Sequence, residues 1–249
     1  MDSCWAACLG DCTKKLSREH LVSAGLFVGD AVRVQGFPWC KEGPVEIGIG
    51  ALTAKVLCVG HNNALSPVDE AGARAFGVLR EMRRLANVRE RLKPHRWNIV
   101  KYRINGRSLE RWLLKTLINL CCDRDHPIGR ASSEVGRPPE SLVRIAYGLE
   151  SFRGRAGLYF VVREGMRVES TDTVGFSPLI KLGTHIEAGL FSFRGLRFLL
   201  LLEEEGPPEP LDGIHLDGED LRHAQLNFHN ERILVKAGKY LSQVLTIDW

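Results

Sequence analysis

The sequence lacks the long apolar run that a membrane-spanning helix requires. Such a helix needs about 20 mostly apolar residues. The most apolar run, from Leu196 to Leu202, contains an arginine and is followed by three glutamates. The N-terminus also lacks a basic stretch followed by an apolar one, so we expect no signal peptide. These absences predict an intracellular, cytoplasmic protein without membrane contact.

Motifs of several common enzyme classes are absent as well. The sequence contains neither G-x-x-x-x-G-K-[ST] nor G-x-G-x-x-G, which argues against the Gly-rich phosphate loops. It also lacks G-x-S-x-G, so a hydrolase with a nucleophile elbow has no support. The composition, with 44% hydrophobic and 26% charged residues in a chain of 249, is ordinary for a globular protein.

Charge is distributed unevenly along the chain. Residues 71–115 carry 13 Lys and Arg against 3 Asp and Glu, whereas residues 203–249 carry 4 against 10. A basic segment of this strength favours a polyanionic partner, because Lys and Arg release counterions when they bind phosphates. The alternative is a solvated helix face paired with acidic side chains. Candidate nucleic-acid contacts are Arg80, Arg83, Arg84, Arg89, Arg91 and Lys93.

Periodicity divides the chain into three segments, at 1–70, 71–150 and 151–249. Phe76, Leu79 and Met82 keep a three-residue spacing, which predicts a helix from residue 70 to about 91. A second helix is expected over 108–122, with Ser108 as its N-cap. Short apolar runs bounded by Gly or charged residues predict strands in the last segment. The proposed strands are 158–163, 167–173, 186–193, 196–202, 224–228 and 241–248, so we predict an α+β fold with a β-rich C-terminal domain.

Cysteine is concentrated near the N-terminus. Five of the seven cysteines lie in the first 58 residues, and an odd count in a cytosolic chain favours metal binding over a disulfide framework. Cys8 and Cys12, together with Cys58 and His61, provide two short clusters of soft ligands. This composition is typical of a tetrahedral structural Zn²⁺ site. Cys4 competes with Cys8 or Cys12 as a ligand.

An acidic residue precedes a histidine between these clusters, at Glu19-His20. With the segment Cys58-Val-Gly-His61-Asn62, this arrangement resembles the HNH (ββα-metal) endonuclease superfamily of the zinc-knuckle type, over about residues 4–70. The resemblance implies an N-terminal zinc-bearing ββα-metal-like module, followed by central helices. It also implies that Glu19 and Asn62 (or Asn63) hold a catalytic Mg²⁺ or Mn²⁺, and that His20 is the general base.

The chemistry agrees with these residue types. Hydrolysis of a phosphodiester needs a deprotonated water and a cation near the developing charge. Histidine is a suitable base near pH 7, and oxygen ligands suit Mg²⁺ or Mn²⁺. We therefore expect a metal-dependent endonuclease, with DNA preferred over RNA. The alternative is a catalytically inactive, zinc-stabilised module that binds nucleic acid or protein.

Overall fold

The computed structural model describes most of the 249 residues. The described residues are 4–37, 40, 43–93, 96–122, 125–162, 168–169, 173–205, 215–216, 219–220, 225–227, 232–237 and 241–249. They contain both helices and mixed sheets, which confirms the α+β class. None of the helices in these ranges is long and apolar enough to cross a membrane.

The described residues form four α-helices, and two of these match the helices expected from periodicity. Helix α2 ends at Arg91 as predicted, but it begins at Ser66 because Pro67 is accommodated in the first turn. Helix α3 ends one residue before the predicted end. Its N-cap is Asn105 rather than Ser108: the Asn105 side chain accepts a hydrogen bond from the Ser108 amide at 2.8 Å. The helices are α1 (Val59–Ala64), α2 (Ser66–Arg91), α3 (Gly106–Cys121) and α4 (Glu140–Ala146).

A seven-stranded sheet joins distant parts of the chain. Its order is β12-β6-β9-β8-β7-β2-β3, and β2 runs parallel to β7 with Arg33 opposite Thr173. Strands from segments 1–70 and 151–249 therefore share one sheet. The strands are β2 (Ala31–Gln35), β3 (Val45–Gly48), β6 (Gly157–Val162), β7 (Thr173–Lys181), β8 (His185–Phe193), β9 (Leu196–Leu201) and β12 (Gln225–Asn227).

Three smaller sheets complete the strand pairing. In the largest of them, β5 from the basic segment lies parallel to β14, with Val100 opposite Gln243. Sequence periodicity did not predict β5, because only one of its six residues, Ile104, is buried. The remaining strands are β1 (Glu19–His20), β4 (Thr53–Ala54), β5 (Val100–Asn105), β10 (His215–Leu216), β11 (Glu219–Asp220), β13 (Ile233–Ala237) and β14 (Gln243–Asp248).

Of the strand predicted at 167–173, the structure describes three residues, and only the last of them lies in a strand. Val168 and Glu169 are not in a strand, and Thr173 begins β7; the other four positions lie outside the described residues. Strand β7 then continues to Lys181, through Pro178, in a region for which no strand was predicted. The other predicted strands overlap observed ones, although residues 163, 224 and 228 also lie outside the described residues.

Helix α3 lies against both α2 and the large sheet. Phe76 of α2, Trp112 of α3 and Phe193 of β8 form an aromatic group, with ring centroids 4.7–5.6 Å apart. A Cβ added at Gly72 would approach the Trp112 ring to 2.6 Å, so the two helices can pack this closely only with glycine there. One hydrophobic cluster contains residues of all three segments. Helix α3 is therefore a central element of the core.

Candidate metal centre and adjoining pocket

A short antiparallel pair and a helix bring the predicted site residues together. Glu19 and His20 of β1 pair with Ala54 and Thr53 of β4. Four residues after β4, Cys58 caps the N-terminus of α1, and its side chain accepts a hydrogen bond from the His61 amide. Strand pairing and helix capping thus place β1 and the first turn of α1 side by side.

Four side chains converge beside this helix: Cys4, Cys12, Cys58 and His61. Their ligand atoms all lie within 4.8 Å of one another. His61 Nδ1 is 3.4 Å from Cys4 Sγ, 3.5 Å from Cys12 Sγ and 3.3 Å from Cys58 Sγ. A tetrahedral Zn²⁺ with ordinary bond lengths would place a nitrogen about 3.5 Å from each sulfur. The group therefore has a composition and spacing that could hold a metal ion such as zinc.

The predicted ligand Cys8 is not part of this group, and Cys4 takes its place. Cys8 lies in a 3-10 turn, Ala7–Leu9, and its side chain is exposed, whereas Cys4 is 3% exposed. After this turn, Gly10 and Asp11 adopt left-handed backbone angles, with φ of 82° and 50°. We infer that this reversal returns the chain to the cluster at Cys12. Sequence spacing alone could not distinguish Cys4 from Cys8.

The thiols differ in how strongly their anionic forms are stabilised. Burial raises the pKa of Cys4 to about 11, despite hydrogen bonds from backbone amides. Burial also acts to raise the pKa of Cys58, but donors from His61 and Thr13 outweigh it and lower this pKa to about 6. A bound cation would favour the thiolate at every position.

Residues from α3 and α4 support the metal-binding group. Tyr147, which follows α4, donates its hydroxyl hydrogen to the His61 carbonyl at 2.9 Å, and its ring lies edge-on to that of His61. Trp5, next to Cys4, donates from Nε1 to Asn119 Oδ1 of α3 at 3.0 Å. The group is thus attached to the core helix α3.

A pocket of about 310 Å³ adjoins the metal-binding group and contains the three predicted catalytic residues. Glu19, His20 and Asn62 all line it, whereas the alternative Asn63 is exposed and is not among the lining residues. Asp69 of α2 also lines this pocket, and no role was predicted for it from the sequence. The lining consists of Arg18, Glu19, His20, Ser23, Ala24, Gly25, Asn62, Ser66, Asp69, Glu70 and Ala73.

The Glu19 carboxylate is already paired with a cation. Lys115 Nζ lies 2.5 Å from Glu19 Oε1 and 2.5 Å from Asp69 Oδ1. Asn119 Nδ2 is 3.5 Å from the same Glu19 oxygen and 3.3 Å from the His20 carbonyl. Burial raises the pKa of Glu19, although the Lys115 ammonium opposes this effect.

The predicted catalytic ion has a weaker structural basis than the Cys/His group. Among the described residues, the Cys/His group is the one set of at least three His, Cys, Asp or Glu side chains with converging ligand atoms. One oxygen of Glu19 already contacts Lys115 and Asn119, and the positive charge of Lys115 opposes the approach of a divalent ion to this carboxylate. Lys115 and Asn119 stand out in the sequence as polar residues four apart in an apolar helix, but this spacing does not identify Glu19 as their partner.

The basic residues of α2 do not form one exposed surface. Arg89 is a correction to the prediction: it is buried, donates to Ser242 Oγ at 2.8 Å, and lies over the Trp97 ring. Of the other basic residues predicted to contact nucleic acid, three have a partner within the protein and two are exposed at the end of the helix. Arg80 donates to the Leu26 carbonyl, Arg83 pairs with Glu90, Arg84 pairs with Glu81, and Arg91 and Lys93 are exposed.

No family model, curated protein or solved structure matches the chain.

Proposed function

We propose that the chain is an endonuclease of the ββα-metal type that hydrolyses phosphodiester bonds in nucleic acid, with DNA preferred over RNA. The observation that supports this most strongly is the shared pocket of Glu19, His20 and Asn62, next to the Cys/His group. Each of these residues comes from the short β1–β4–α1 arrangement, as the resemblance to the HNH superfamily implies.

His20 is the proposed general base. Its side chain is half-buried at the pocket, and its backbone is fixed by the pairing with Thr53 and by the hydrogen bond from Asn119. A neutral imidazole would take a proton from water as that water attacks phosphorus. The bond from phosphorus to the leaving oxygen then breaks, and the leaving oxygen takes a proton from solvent. The base is regenerated when His20 releases its proton.

Positive charge at the pocket entrance would hold the phosphate. Arg18 lines the pocket, is exposed, and is positioned by a hydrogen bond of 3.2 Å to Thr53 Oγ1. Arg91 and Lys93, exposed at the end of α2, are candidates for further contacts with the phosphate backbone. Such contacts add affinity without sequence specificity, so binding should weaken steeply with salt.

The role proposed for zinc is structural. Cys4, Cys12, Cys58 and His61 would hold the ion through three sulfurs and one imidazole nitrogen, a ligand set typical of structural and not of catalytic zinc. The ion would connect the N-terminal residues with α1, next to the β1–β4 pair, which is only two residues long. The proposed hydrolysis does not require Glu19 as a ligand of Mg²⁺ or Mn²⁺, because the Lys115 ammonium already lies against that carboxylate.

One observation favours a second function. The buried ion pair of Glu19 and Lys115 is also what a purely structural network would contain. The alternative is therefore a catalytically inactive, zinc-stabilised module that binds nucleic acid or protein. It predicts binding without cleavage.

Plasmid cleavage by purified, zinc-loaded protein distinguishes these functions. We expect His20→Ala to lower the rate by about 10²–10⁴-fold, as for the loss of a positioned base. Zinc content and unfolding temperature should stay unchanged. Asn63→Ala is the matched control, since Asn63 lies outside the pocket lining, and it should cleave normally. Adding Mg²⁺, Mn²⁺ or a chelator tests the dependence on metal.

Two results would contradict the nuclease proposal. Equal cleavage by wild type and His20→Ala would place the activity elsewhere or in a contaminant. A wild-type protein that cleaves neither duplex, single-stranded DNA nor RNA, yet binds them in a salt-dependent way, would support the inactive binding module.

A further inference from the structure

Lys115 occupies an unusual position for a charged residue. It lies in the middle of α3 with a relative exposure of 1%, next to Leu113, Leu114 and Leu117, which are fully buried. Burying an ammonium is costly unless it is paired and hydrogen-bonded. The identity of its partners therefore indicates what the residue does.

Both partners of Lys115 are carboxylates from other elements. Its Nζ atom lies 2.5 Å from Glu19 Oε1 on β1 and 2.5 Å from Asp69 Oδ1 on α2. Both oxygens thus contact one positive centre. A divalent ion held between two carboxylates also contacts an oxygen of each, at about 2.0–2.1 Å for Mg²⁺.

The surrounding donors are directed at the same oxygens. Asn119 Nδ2 is 3.5 Å from Glu19 Oε1, and the Ser23 hydroxyl donates to Asp69 Oδ1. Ser23 is itself fixed by a hydrogen bond of 2.8 Å from Trp112 Nε1. The carboxylate pair is therefore surrounded by N–H and O–H donors on the side facing α3.

We propose that Lys115 is a built-in cation, which takes the position between Glu19 and Asp69 that a divalent ion would otherwise hold. In this arrangement Glu19 is a positioning residue for β1 and not a metal ligand. Because His20 follows Glu19 directly, this role would also help to position the proposed general base. That consequence for catalysis rests on the proposed function. The occupancy of the cation position is independent of nuclease activity and is tested without it.

Removing the ammonium should create a metal site. In Lys115→Met the side chain keeps a similar length but loses its charge, which leaves two carboxylates facing each other. Their mutual repulsion destabilises the fold, and an added divalent ion relieves it. A merely structural lysine would give destabilisation without any gain in metal binding.

The experiment uses full-length, zinc-loaded protein and Mn²⁺ as the probe. Binding is measured from the electron paramagnetic resonance signal of free Mn²⁺, and stability from thermal unfolding with and without Mn²⁺. We expect Lys115→Met to bind Mn²⁺ at least about tenfold more tightly than wild type, a difference of about 1.4 kcal/mol. Its unfolding temperature should be reduced in the absence of Mn²⁺ and partly restored by it.

Arg89→Met is the matched control. Arg89 is also a buried cation, but its hydrogen-bond partners are the oxygens of Ser242 and the Asn98 carbonyl rather than carboxylates. Its loss should lower stability with no gain in Mn²⁺ binding. The double variant Lys115→Met with Asp69→Asn should lose the gain seen in Lys115→Met.

A titration of wild type keeps the proposal testable if Lys115→Met does not fold. Wild type should bind Mn²⁺ no more tightly than Glu19→Gln does, because Lys115 already fills the position. The proposal is overturned if wild type binds Mn²⁺ tightly and Glu19→Gln abolishes that binding. It is also overturned if a folded Lys115→Met gains no Mn²⁺ affinity.

Discussion

The molecule contains two adjacent polar clusters that differ in how their charge is balanced. In the first, Cys4, Cys12, Cys58 and His61 bring four ligand atoms together, with His61 Nδ1 within 3.5 Å of each sulfur. In the second, the Glu19 and Asp69 carboxylates contact the Lys115 ammonium. The first cluster has ligands that an added ion would join, whereas the second includes its own cation.

This difference predicts that the two neighbouring clusters treat an added cation differently. Soft sulfur ligands without a cationic side chain among them favour an external ion such as Zn²⁺. Carboxylates that already share an ammonium bind a further cation less readily. The presence of Glu or Asp beside a histidine is therefore insufficient to assign a catalytic metal. The side chains facing those carboxylates must also be known.

The largest expected effect is loss of the first cluster in Cys58→Ser. We predict that the variant binds no zinc and that its N-terminal region is not stably folded. Structural Zn²⁺ contributes about 10–16 kcal/mol of apparent binding free energy in small zinc modules. Metal analysis and hydrogen exchange of the N-terminal amides measure the two consequences. A Cys58→Ser protein with wild-type zinc content and protection would contradict the metal assignment.

A smaller effect is expected from Asn119→Ala, which removes a connection between the clusters. Asn119 accepts from Trp5 and donates toward Glu19 and the His20 carbonyl. Leaving such buried groups without a partner costs about 1–3 kcal/mol. Urea unfolding should show this loss with unchanged zinc content. Asn63→Ala, at an exposed position of α1, is the control, and an equal loss there would rule out a specific effect.

The smallest effect is expected from Asp248→Asn, far from both clusters in the sequence. The guanidinium of Arg103, aided by that of Arg232, holds the pKa of Asp248 below its ordinary value. A carboxyl with a lowered pKa stabilises the fold above its ordinary pKa, and this contribution is lost as the pH falls through the lowered value. Thermal unfolding should show a small deficit for the variant at pH 7, which shrinks as the pH falls below the ordinary pKa of an aspartate and through the lowered pKa of Asp248. A deficit that is independent of pH would exclude this ion pair as its cause.

The sequence was sufficient to predict elements in which the apolar residues recur at a clear spacing. Helix α2 and strands β8 and β9 were predicted close to their observed positions, since their apolar spacing reflects one buried face or complete burial. Strand β5 was missed, because what defines it is pairing with β14, about 140 residues away. The parallel contact between β2 and β7 is another long-range pairing without a local signal.

The candidate site was predictable to a similar degree. The resemblance to the HNH superfamily implied that Glu19, His20 and Asn62 lie near one another. Residue types and spacing identified Cys12, Cys58 and His61. They could not choose Cys4 over Cys8, because the choice depends on the left-handed turn at 10–11. They also could not identify Lys115 as the partner of Glu19, since these residues are almost 100 positions apart and belong to different elements.

Zinc content measured side by side in wild type, Cys4→Ser and Cys8→Ser tests the metal assignment most directly. The two substitutions are chemically identical and lie four residues apart, but only Cys4 belongs to the converging group. We predict about one Zn²⁺ per chain in wild type and in Cys8→Ser, and loss of tight binding in Cys4→Ser. Zinc lost from Cys8→Ser but retained by Cys4→Ser, or absent from wild type purified under reducing conditions, would contradict this account.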